Sequence, residues 1–551
     1  MIDTQVLRKA RGAFFTPPEI SLYLAEWAIR HAGDVVLEPS CGEACFLLDA
    51  ATRLKKLGSN IESSRGQLHG VEIHKRSAEI ARTLLSEQQL DAKILVSNFF
   101  DVMPTATYDA VIGNPPYVRY QNFAGEARTK ALEAALTQGV RLTGLTSSWA
   151  PFVVHASRFL KPDGRLALVL PAELLAVNYA AQVRRFLLNR FSSVRLVLFE
   201  NRVFPGVLEE VVLLLAEGSG GAKNFEVYQA RNLDDLSRTT RPAWTDYSPE
   251  GGDKWTPALL PSSALGVYRK LTNNASFTNL LSWGETYLGS VTGNNEFFAL
   301  TRIEAKELGL DERQLLRISP PGSRHLKGLK FSDASWETLA KEGARCYLFY
   351  PRTETPSSTA RRYISAGEKR GVHKAYKCEN RAPWWRVPIV DVPDLLFTYM
   401  NHERPRLIAN EAGVRIVNSV YGVSLRHKKK RLGRELLPIS SLNSVTLLGA
   451  EMVGRAYGGG LLKMEPNEAD LLPVPSAHIL TAASDDLFSL RPQLATFLRA
   501  GDLQKAVDLV DSVLLAQHSN VSPEEIAALR TARDYLFHRR KIRGRGQSGA
   551  N

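Results

Sequence analysis

The sequence is poor in cysteine and has no long apolar run. Its 551 residues include four cysteines, none in a Cys-x-x-Cys pair, which argues against a disulfide scaffold and against a zinc site. No apolar run approaches the roughly 20 residues that span a bilayer. The first residues lack the apolar stretch of a secretory signal. These absences predict a globular protein of the reducing cytoplasm, with no metal and no membrane partner.

Positive charge is in excess and is concentrated in the second half. The net charge is +13, and residues 361–434 contain 17 Lys or Arg against 6 Asp or Glu. A basic surface attracts polyanions because binding releases their counterions. A charged run also fits an ordinary solvated face. The charge alone leaves both interpretations open.

Short β-branched runs alternate with helical stretches in the first 220 residues. We predict strands over 34–37, 67–72, 93–96, 108–112, 165–170, 194–200 and 211–216, and helices over 46–57, 76–90 and 149–160. This alternation predicts an α/β fold, a mainly parallel sheet with helices on both faces. Such sheets bind ligands outside the carboxyl ends of their strands.

The pattern changes after Gly218–Gly221, which is typical of a linker. The next 250 residues lack βα alternation and are predicted to form an α+β domain. From about Ser476 the chain is predicted to be helical, including 490–515 and 523–537. It ends in a basic segment, 538–545, that we expect to be disordered. The predicted domains are 1–225, 226–475 and 476–551.

The strongest chemical signal is Asn114-Pro115-Pro116-Tyr117, which follows the strand over 108–112. The nitrogen lone pair of an aromatic amine is delocalised into its ring, so the amine is a poor nucleophile. The side-chain oxygen of Asn114 and the carbonyl of Pro115 can accept its two protons and favour a tetrahedral nitrogen. Proline fixes the shape of the loop, and Tyr117 can stack on a planar substrate. A plain turn is the less favoured alternative.

A second signal is the strand, tight turn and helix over 36–46, which includes Glu38, Pro39, Cys41 and Gly42. This arrangement lets a ligand approach the backbone at a helix N-terminus. Glu72 ends the next strand, about 30 residues later, where a carboxylate can accept hydrogen bonds from ribose hydroxyls. Each feature alone is weak, since Glu72 also fits a capping or surface role. Together they favour a cofactor with a ribose.

The ordered set of motifs resembles the gamma class, or TaqI-like type, of DNA adenine-N6 methyltransferases. The matching segments are 12–18, 38–46, Glu72, 97–101, 114–117, 146–160, 164–173 and 203–206. The resemblance covers roughly residues 8–217 and extends weakly to about 476. It implies a class I S-adenosylmethionine-dependent methyltransferase fold with a Rossmann-like mixed sheet. It also implies that 1–225 is catalytic and that 226–475 is a DNA target-recognition domain.

The resemblance assigns roles to individual residues. For S-adenosyl-L-methionine, it implies Thr16 and Pro17 at the carboxylate end, Glu38 at the ammonium group, Glu72 at the ribose, and Asn98 and Phe99 at the adenine, with Pro39, Cys41, Gly42 and Ile73 completing the cofactor set. Asn98 stands where the family usually has aspartate.

For the target base, the resemblance implies that Asn114 and Pro115 accept the amine. It places Tyr117 and Phe204 on either side of a flipped base, and Pro116 completes this catalytic set. The target atom is buried in the duplex, so the base must leave the stack.

Four segments of the second half loosely resemble recurring segments of the family's recognition domain: 291–298, 346–351, 380–386 and 442–444. The implied partner is double-stranded DNA. Because the motifs begin near residue 12, we expect any cognate restriction endonuclease to be a separate chain, with no stable complex implied. The expected biological role is protection of host DNA.

Several alternatives stay open. Methylation of a protein glutamine or of a ribosomal RNA base also uses Asn-Pro-Pro-Tyr-like loops, in enzymes that are usually much shorter. Cytosine-N4 enzymes usually carry Ser before Pro-Pro. Cytosine-5 chemistry needs a cysteine, typically just after a proline, and the sequence has no Pro-Cys dipeptide. A DNA-binding subunit without catalysis is the alternative from another class.

Overall fold

The βα alternation of the first half produces one mixed sheet. We describe a computed structural model of the chain, in which residues 16–60, 66–200, 203–204, 210–239, 242–249, 254–353 and 355–544 are described. The chain divides into two compact units, Met1–Leu259 and Leu260–Asn551.

Nine strands form the sheet among the described residues of the first unit, in the order β3-β2-β1-β4-β5-β7-β6-β8-β9. They are β1 (Val36–Glu38), β2 (Leu68–Glu72), β3 (Ala92–Val96), β4 (Tyr108–Gly113), β5 (Leu160–Pro171), β6 (Ser193–Phe199), β7 (Val211–Glu217), β8 (Phe225–Ala230) and β9 (Thr245–Tyr247). The strands from β3 to β5 are parallel, whereas β7 runs antiparallel to β5 and β6. The predicted mixed α/β fold is confirmed.

The helices predicted over 46–57, 76–90 and 149–160 are present, and five further helices accompany them in the described residues of the first unit. They are α1 (Pro18–Ala28), α2 (Cys45–Lys56), α3 (Lys75–Glu87), α4 (Gly125–Leu136), α5 (Trp149–Ala156), α6 (Glu173–Ala176), α7 (Ala181–Arg190) and α8 (Leu233–Arg238). In α2 the buried residues Phe46, Leu47, Ala50 and Leu54 recur at helical spacing. Every residue of α5 is buried.

The first unit extends beyond the predicted boundary after residue 225. Strand β8 pairs in parallel with β6, and β9 pairs antiparallel with β8. Gly218–Gly221, predicted to be a domain linker, is part of the connection from β7 to β8, and Gly218, Gly220 and Gly221 adopt positive φ. The division lies at Leu259 because residues 225–247 complete the sheet.

The second unit is α+β. Its strands are β10 (Phe277–Asn279), β11 (Gly284–Leu288), β12 (Ala299–Leu300), β13 (Leu315–Arg317), β14 (Lys330–Phe331), β15 (Tyr347–Phe349), β16 (Leu395–Thr398), β17 (Met400–Asn401), β18 (Leu407–Asn410), β19 (Val420–Leu425), β20 (Arg455–Tyr457), β21 (Leu461–Lys463) and β22 (Pro473–Pro475). Its largest sheet, among the described residues, has the order β11-β19-β16-β18-β14.

The helices of the second unit gather towards the end of the chain. They are α9 (Ser262–Asn273), α10 (Asn295–Phe298), α11 (Arg302–Glu307), α12 (Asp333–Lys341), α13 (Ser358–Lys369), α14 (Tyr376–Glu379), α15 (Lys430–Ser440), α16 (Ser444–Val453), α17 (Pro466–Asp470), α18 (Ala477–Ala482), α19 (Ser484–Ser489), α20 (Arg491–Ala500), α21 (Leu503–Asp511) and α22 (Pro523–Gly544).

The C-terminal helices are not a separate segment as predicted. One apolar core combines Leu395 and Val423 of the large sheet with Leu487 and Leu514 of the terminal helices. The predicted disorder of 538–545 is wrong for 538–544, which continue α22; residue 545 lies outside the described residues. Nη2 of Arg540 donates to Oε1 of buried Glu451 at 2.6 Å. This pair stabilises the end of the helix, because without it the buried charge of Arg540 would have no partner.

Within the described part of the chain, no single helix is long and apolar enough to cross a membrane, although one sharply bent pair, 427–440 with 444–453, meets the criteria of length and composition.

Candidate active site

Four neighbouring parallel strands bring the predicted site residues to one edge of the sheet. Glu38 ends β1, Glu72 ends β2, Asn98 follows β3 and Asn114 follows β4. These strands lie side by side in the order β3-β2-β1-β4. Ligands bind outside the carboxyl ends of such strands, so the topology brings together the residues that the motifs single out.

The loop between β1 and α2 is fixed by backbone hydrogen bonds. The amide of Cys41 donates to the carbonyl of Val71 at 2.9 Å. The amide of Gly42, at φ +50°, donates to Oε2 of Glu72 at 2.9 Å. A Cβ at Gly42 would meet no atom within 4 Å, so the space beside this residue is open. The backbone of Gly42 and the carboxylate of Glu72 therefore lie beside the same open space.

Glu72 holds the turn after its own strand as well. Its Oε1 accepts from the amide of His74 at 2.7 Å, while its Oε2 serves Gly42. A carboxylate has about four acceptor positions, so each oxygen keeps one for a further donor such as a ribose hydroxyl. The neighbouring Ile73 is 67% exposed, as suits a residue that covers a bound ring.

Glu38 is a buried acid that caps α2. That helix begins after Ala44, whose side chain cannot cap it, and Oε2 of Glu38 accepts the Leu47 amide at 3.2 Å instead. Burial raises the pKa of Glu38 well above its ordinary range, and the charges of Glu72 and Asp49 raise it further, against the Leu47 bond. A cation beside this carboxyl would be strongly favoured.

Cys41 is buried beneath the loop. Burial raises the pKa of its thiol, so the side chain stays a neutral thiol rather than a nucleophilic thiolate. Pro39 is buried beside Gly113 of β4. Both residues form the floor of the loop.

Asn98 and Phe99 form a rigid corner after β3. Oδ1 of Asn98 accepts from the Phe100 amide at 3.1 Å and caps a short 3-10 turn. The Phe99 ring is buried and stacks with Phe159 at 5.0 Å between ring centroids. Burial lowers the pKa of His155, which contacts the Phe99 carbonyl at 3.2 Å through Nε2, to about 4.

The Asn114 amide is oriented by Thr16. Nδ2 of Asn114 donates to Oγ1 of Thr16 at 3.2 Å. Its Oδ1 is buried and has no hydrogen-bond partner among the described residues. Buried polar atoms are nearly always paired, and an exception calls for an explanation. An amine delivered by a substrate would supply the missing donor.

The rest of the loop is fixed from behind. Oγ of Ser148 bridges the loop by donating to the Pro116 carbonyl and accepting from the Val118 amide. The hydroxyl of buried Tyr117 donates to the Val169 carbonyl of β5 at 2.9 Å. The loop is therefore held in one shape before any substrate arrives.

Two predicted elements are only partly described. Pro17 precedes α1 and, with Thr16, lies inside the described residues, whereas 12–15 of the predicted leading motif lie outside them. Phe204 is 5% exposed, but Pro205 and Gly206 of its motif lie outside the described residues. The roles of Phe204, Thr16 and Pro17 towards ligands stay predictions.

Three contacts at the site were not predicted from the sequence. These are the Thr16–Asn114 bond, the Ser148 bridge, and the bond from Oγ of Ser40 to the Asn114 carbonyl at 3.2 Å. A serine just before a predicted helix is the signal that could have indicated Ser148. Nothing in the local pattern could indicate the other two, because their partners lie 74 to 98 residues apart in sequence.

The recurring segments of the second half are mostly scaffold. Phe297, Phe349 and Trp385, from three of these segments, share one apolar core. Nη2 of Arg381 donates to the Thr292 carbonyl at 2.7 Å and so joins two of the segments. In the fourth, Asn443 caps α16.

Two family models match the chain. The model described as N-6 DNA Methylase matches residues 3–241, and the model of the C-terminal domain of the Type II methyltransferase M.Eco57I matches residues 252–515. The N-6 DNA Methylase match covers the part of the chain that contains the motifs, and it confirms the resemblance predicted from them. With the Type II methyltransferases among its relatives, this match shows an adenine-N6 DNA methyltransferase, and the predicted enzyme class is confirmed.

Full-length relatives agree with this assignment. Type II methyltransferase M.AccI of Acinetobacter calcoaceticus is 24% identical over 526 residues, covering 93% of this chain and 94% of that protein. Type II methyltransferase M.XamI of Xanthomonas campestris pv. amaranthicola is 24% identical over 488 residues, covering 86% of each.

A solved structure shows the same fold. The Type IIL restriction-modification enzyme MmeI, in complex with DNA, superposes on this adenine methyltransferase with a TM-score of 0.56 and 13% identity. The match covers 95% of this chain and 75% of the MmeI chain.

Proposed function

We propose that the chain is a gamma-class, site-specific methyltransferase that transfers a methyl group from S-adenosyl-L-methionine to N6 of an adenine flipped out of duplex DNA. The observation that carries the proposal is the buried, unpartnered Oδ1 of Asn114 at the carboxyl end of β4. A planar amine is the group that such an acceptor suits.

Asn114 and Pro115 act as the two acceptors of the target amine. The Thr16 bond holds Nδ2 of Asn114, so Oδ1 is left for one N–H of adenine. The Pro115 carbonyl takes the other N–H. Held in this way, the nitrogen becomes more tetrahedral and its lone pair leaves the ring conjugation. The nitrogen would take the methyl group as the methyl–sulfur bond breaks and the sulfonium becomes a neutral thioether. It would lose a proton to water, because neither acceptor is basic enough to retain it.

The cofactor fits the residues at the neighbouring strand ends. When bound, S-adenosyl-L-methionine supplies an electrophilic methyl group on its sulfonium. The buried acid Glu38 suits its ammonium group, Glu72 suits its ribose hydroxyls, and Asn98 suits its adenine. Thr16, Pro17, Pro39, Cys41, Gly42, Ile73 and Phe99 complete the proposed binding set. The open space beside Gly42 supports this assignment.

Tyr117 and Phe204 are proposed to stack on the extruded base. Flipping a base costs a few kcal/mol, and stacking offsets about 1–3 kcal/mol per ring. The hydrogen bond from the Tyr117 hydroxyl to the Val169 carbonyl supports this role, because a ring that is already oriented loses less entropy when the base binds.

The second unit is proposed to recognise the target sequence. A separate restriction endonuclease is proposed to cut the same site when it is unmethylated. The basic region 361–434 supports DNA binding. The Type II names of the relatives support a restriction-modification role in the cytoplasm, where methylation protects host DNA.

Replacement of Asn114 tests the proposal. In the Asn114→Ala variant we expect methyl transfer to duplex DNA to fall at least about 100-fold, because one of two transition-state hydrogen bonds is lost. Affinity for S-adenosyl-L-methionine should stay within about twofold of wild type. Single-turnover transfer of a labelled methyl group and calorimetric cofactor titration measure the two quantities.

The matched control is Asn189→Ala, which removes an exposed amide from α7 and should leave both quantities unchanged. Wild-type transfer rates in Asn114→Ala would refute the assignment. Loss of cofactor affinity in the same variant would move Asn114 to the cofactor site.

A further inference from the structure

A cleft of about 890 Å³ in the second unit carries an excess of positive charge in its lining. Its walls come from residues 327–330 and from the helices α15 and α20. Seven lysines and arginines line it, against two glutamates. A cleft with a net positive charge concentrates anions from solution.

Three of these cations are already paired with carboxylates. Lys330 lies 3.1 Å from Glu411, and Lys430 lies 2.9 Å from Asp394. Arg431 lies 3.6 Å from Glu435. These pairs account for both glutamates that line the cleft, so no carboxylate of the lining is left for the remaining cations.

The other four cations have no carboxylate partner among the described residues. Arg434 and Arg491 donate to neutral backbone carbonyls, at 3.1 and 3.0 Å. The side chains of Lys327 and Arg499 make no hydrogen bond or ion pair with the described residues. Four uncompensated positive charges in one cleft repel one another, so an anion that spans them would be stabilised.

The remaining lining points to backbone rather than base recognition. The floor is apolar, with Leu329, Pro438 and Leu498, and it offers no Ser, Thr, Asn or Gln side chain to the ligand. Arg and Lys can also read guanine, but a lining without Asn or Gln lacks the usual readers of adenine, and its cations suit the phosphates that every sequence presents. An apolar floor with a cationic rim suits deoxyribose and phosphate.

We propose that this basic cleft binds phosphates of the DNA backbone and supplies affinity that does not depend on sequence. The proposal rests on the proposed function, which makes duplex DNA the substrate. In this proposal the cleft does not read bases, and other residues of the second unit recognise the target sequence.

The double variant Lys327→Gln with Arg499→Gln tests the cleft in the full-length chain. Its matched control, Lys306→Gln with Lys341→Gln, removes the same charge from exposed, unpaired side chains of α11 and α12. Fluorescence anisotropy without cofactor measures affinity for two duplexes, one with and one without the methylated site, at several salt concentrations. Thermal unfolding verifies that both variants fold.

The cleft variant should bind both duplexes about tenfold more weakly near 0.1 M salt, and the slope of log affinity against log salt should shrink by about 2, from two lost phosphate contacts. The control should match wild type. A slope equal to that of the control, or a loss confined to the duplex with the site, would overturn the proposal. Because binding is measured without methyl transfer, failure to methylate adenine would overturn the proposed function and leave this test standing.

Discussion

The most informative single atom of the molecule is Oδ1 of Asn114. A buried acceptor without a partner costs about 1–3 kcal/mol, and the fold nevertheless retains it beside the loop between β1 and α2. The same atom explains why the site needs an asparagine: an alanine would remove the cost and the chemistry together. Under the proposed function, the chemistry of this residue outweighs its cost in stability.

If Glu38 is the proposed partner of the ammonium group, cofactor binding should depend on pH. Folding raises its pKa above the ordinary 4.5, so the folded chain binds this proton more tightly than the unfolded chain. Its contribution to stability therefore falls as pH rises through the interval above 4.5. A bound ammonium group favours the carboxylate, so binding of S-adenosylhomocysteine should release a proton and tighten with rising pH in that interval.

Calorimetry in two buffers of different ionisation enthalpy measures the released proton. Glu38→Gln should abolish the release and weaken binding. Glu79→Gln, an exposed acid on α3, should change neither. Equal proton release in Glu38→Gln and wild type would exclude Glu38 as the ammonium partner.

The elements of the first unit follow from the sequence because their burial pattern is strong. The predicted strand over 108–112 is Tyr108–Gly113, and the predicted helix over 46–57 is Cys45–Lys56. Strand β8 was missed because it follows a glycine-rich turn that also fits a linker. The end of α22 was not predicted because a run of basic residues is typical of a solvated segment. The acid that pairs with Arg540, Glu451, is distant in the sequence.

Strand β2 has a glycine where α2 and β3 pack closely. A Cβ at Gly70 would lie 2.7 Å from Cδ1 of Ile94 and 2.9 Å from Sγ of Cys41. We expect Gly70→Ala to lower the free energy of unfolding by about 1–3 kcal/mol through overpacking. At Gly33 an added Cβ meets nothing within 4 Å, so Gly33→Ala should leave the thermal midpoint unchanged or slightly higher. Equal midpoints for the two variants would contradict this packing.

Helix α22 is anchored by a buried ion pair. Arg540 and Glu451 are each 3% exposed. Arg540→Ala should cost about 3–5 kcal/mol in chemical denaturation, because it leaves a buried carboxylate alone. Arg431→Ala breaks a pair whose arginine is 92% exposed and should cost less than about 1 kcal/mol. A small effect at both positions would show that the end of α22 is not part of the core.

At the level of the complete chain, the two matched families correspond to the two units. The matches end at 241 and begin at 252, close to the division at Leu259. The sequence could indicate the chemistry of the first unit because its motifs lie at strand ends. It could not indicate which residues read DNA, because base contacts come from side chains that the fold brings together from distant segments.

The identity of the methylated atom is the most direct test. Duplex DNA incubated with the purified chain and methyl-labelled S-adenosyl-L-methionine can be digested to nucleosides and analysed by mass spectrometry, with single-molecule sequencing to locate the modified bases. We predict label in N6-methyldeoxyadenosine alone, at one recurring sequence, and none with Asn114→Ala. Label in a methylcytosine, or undiminished label with Asn114→Ala, would contradict the proposed acceptor pair.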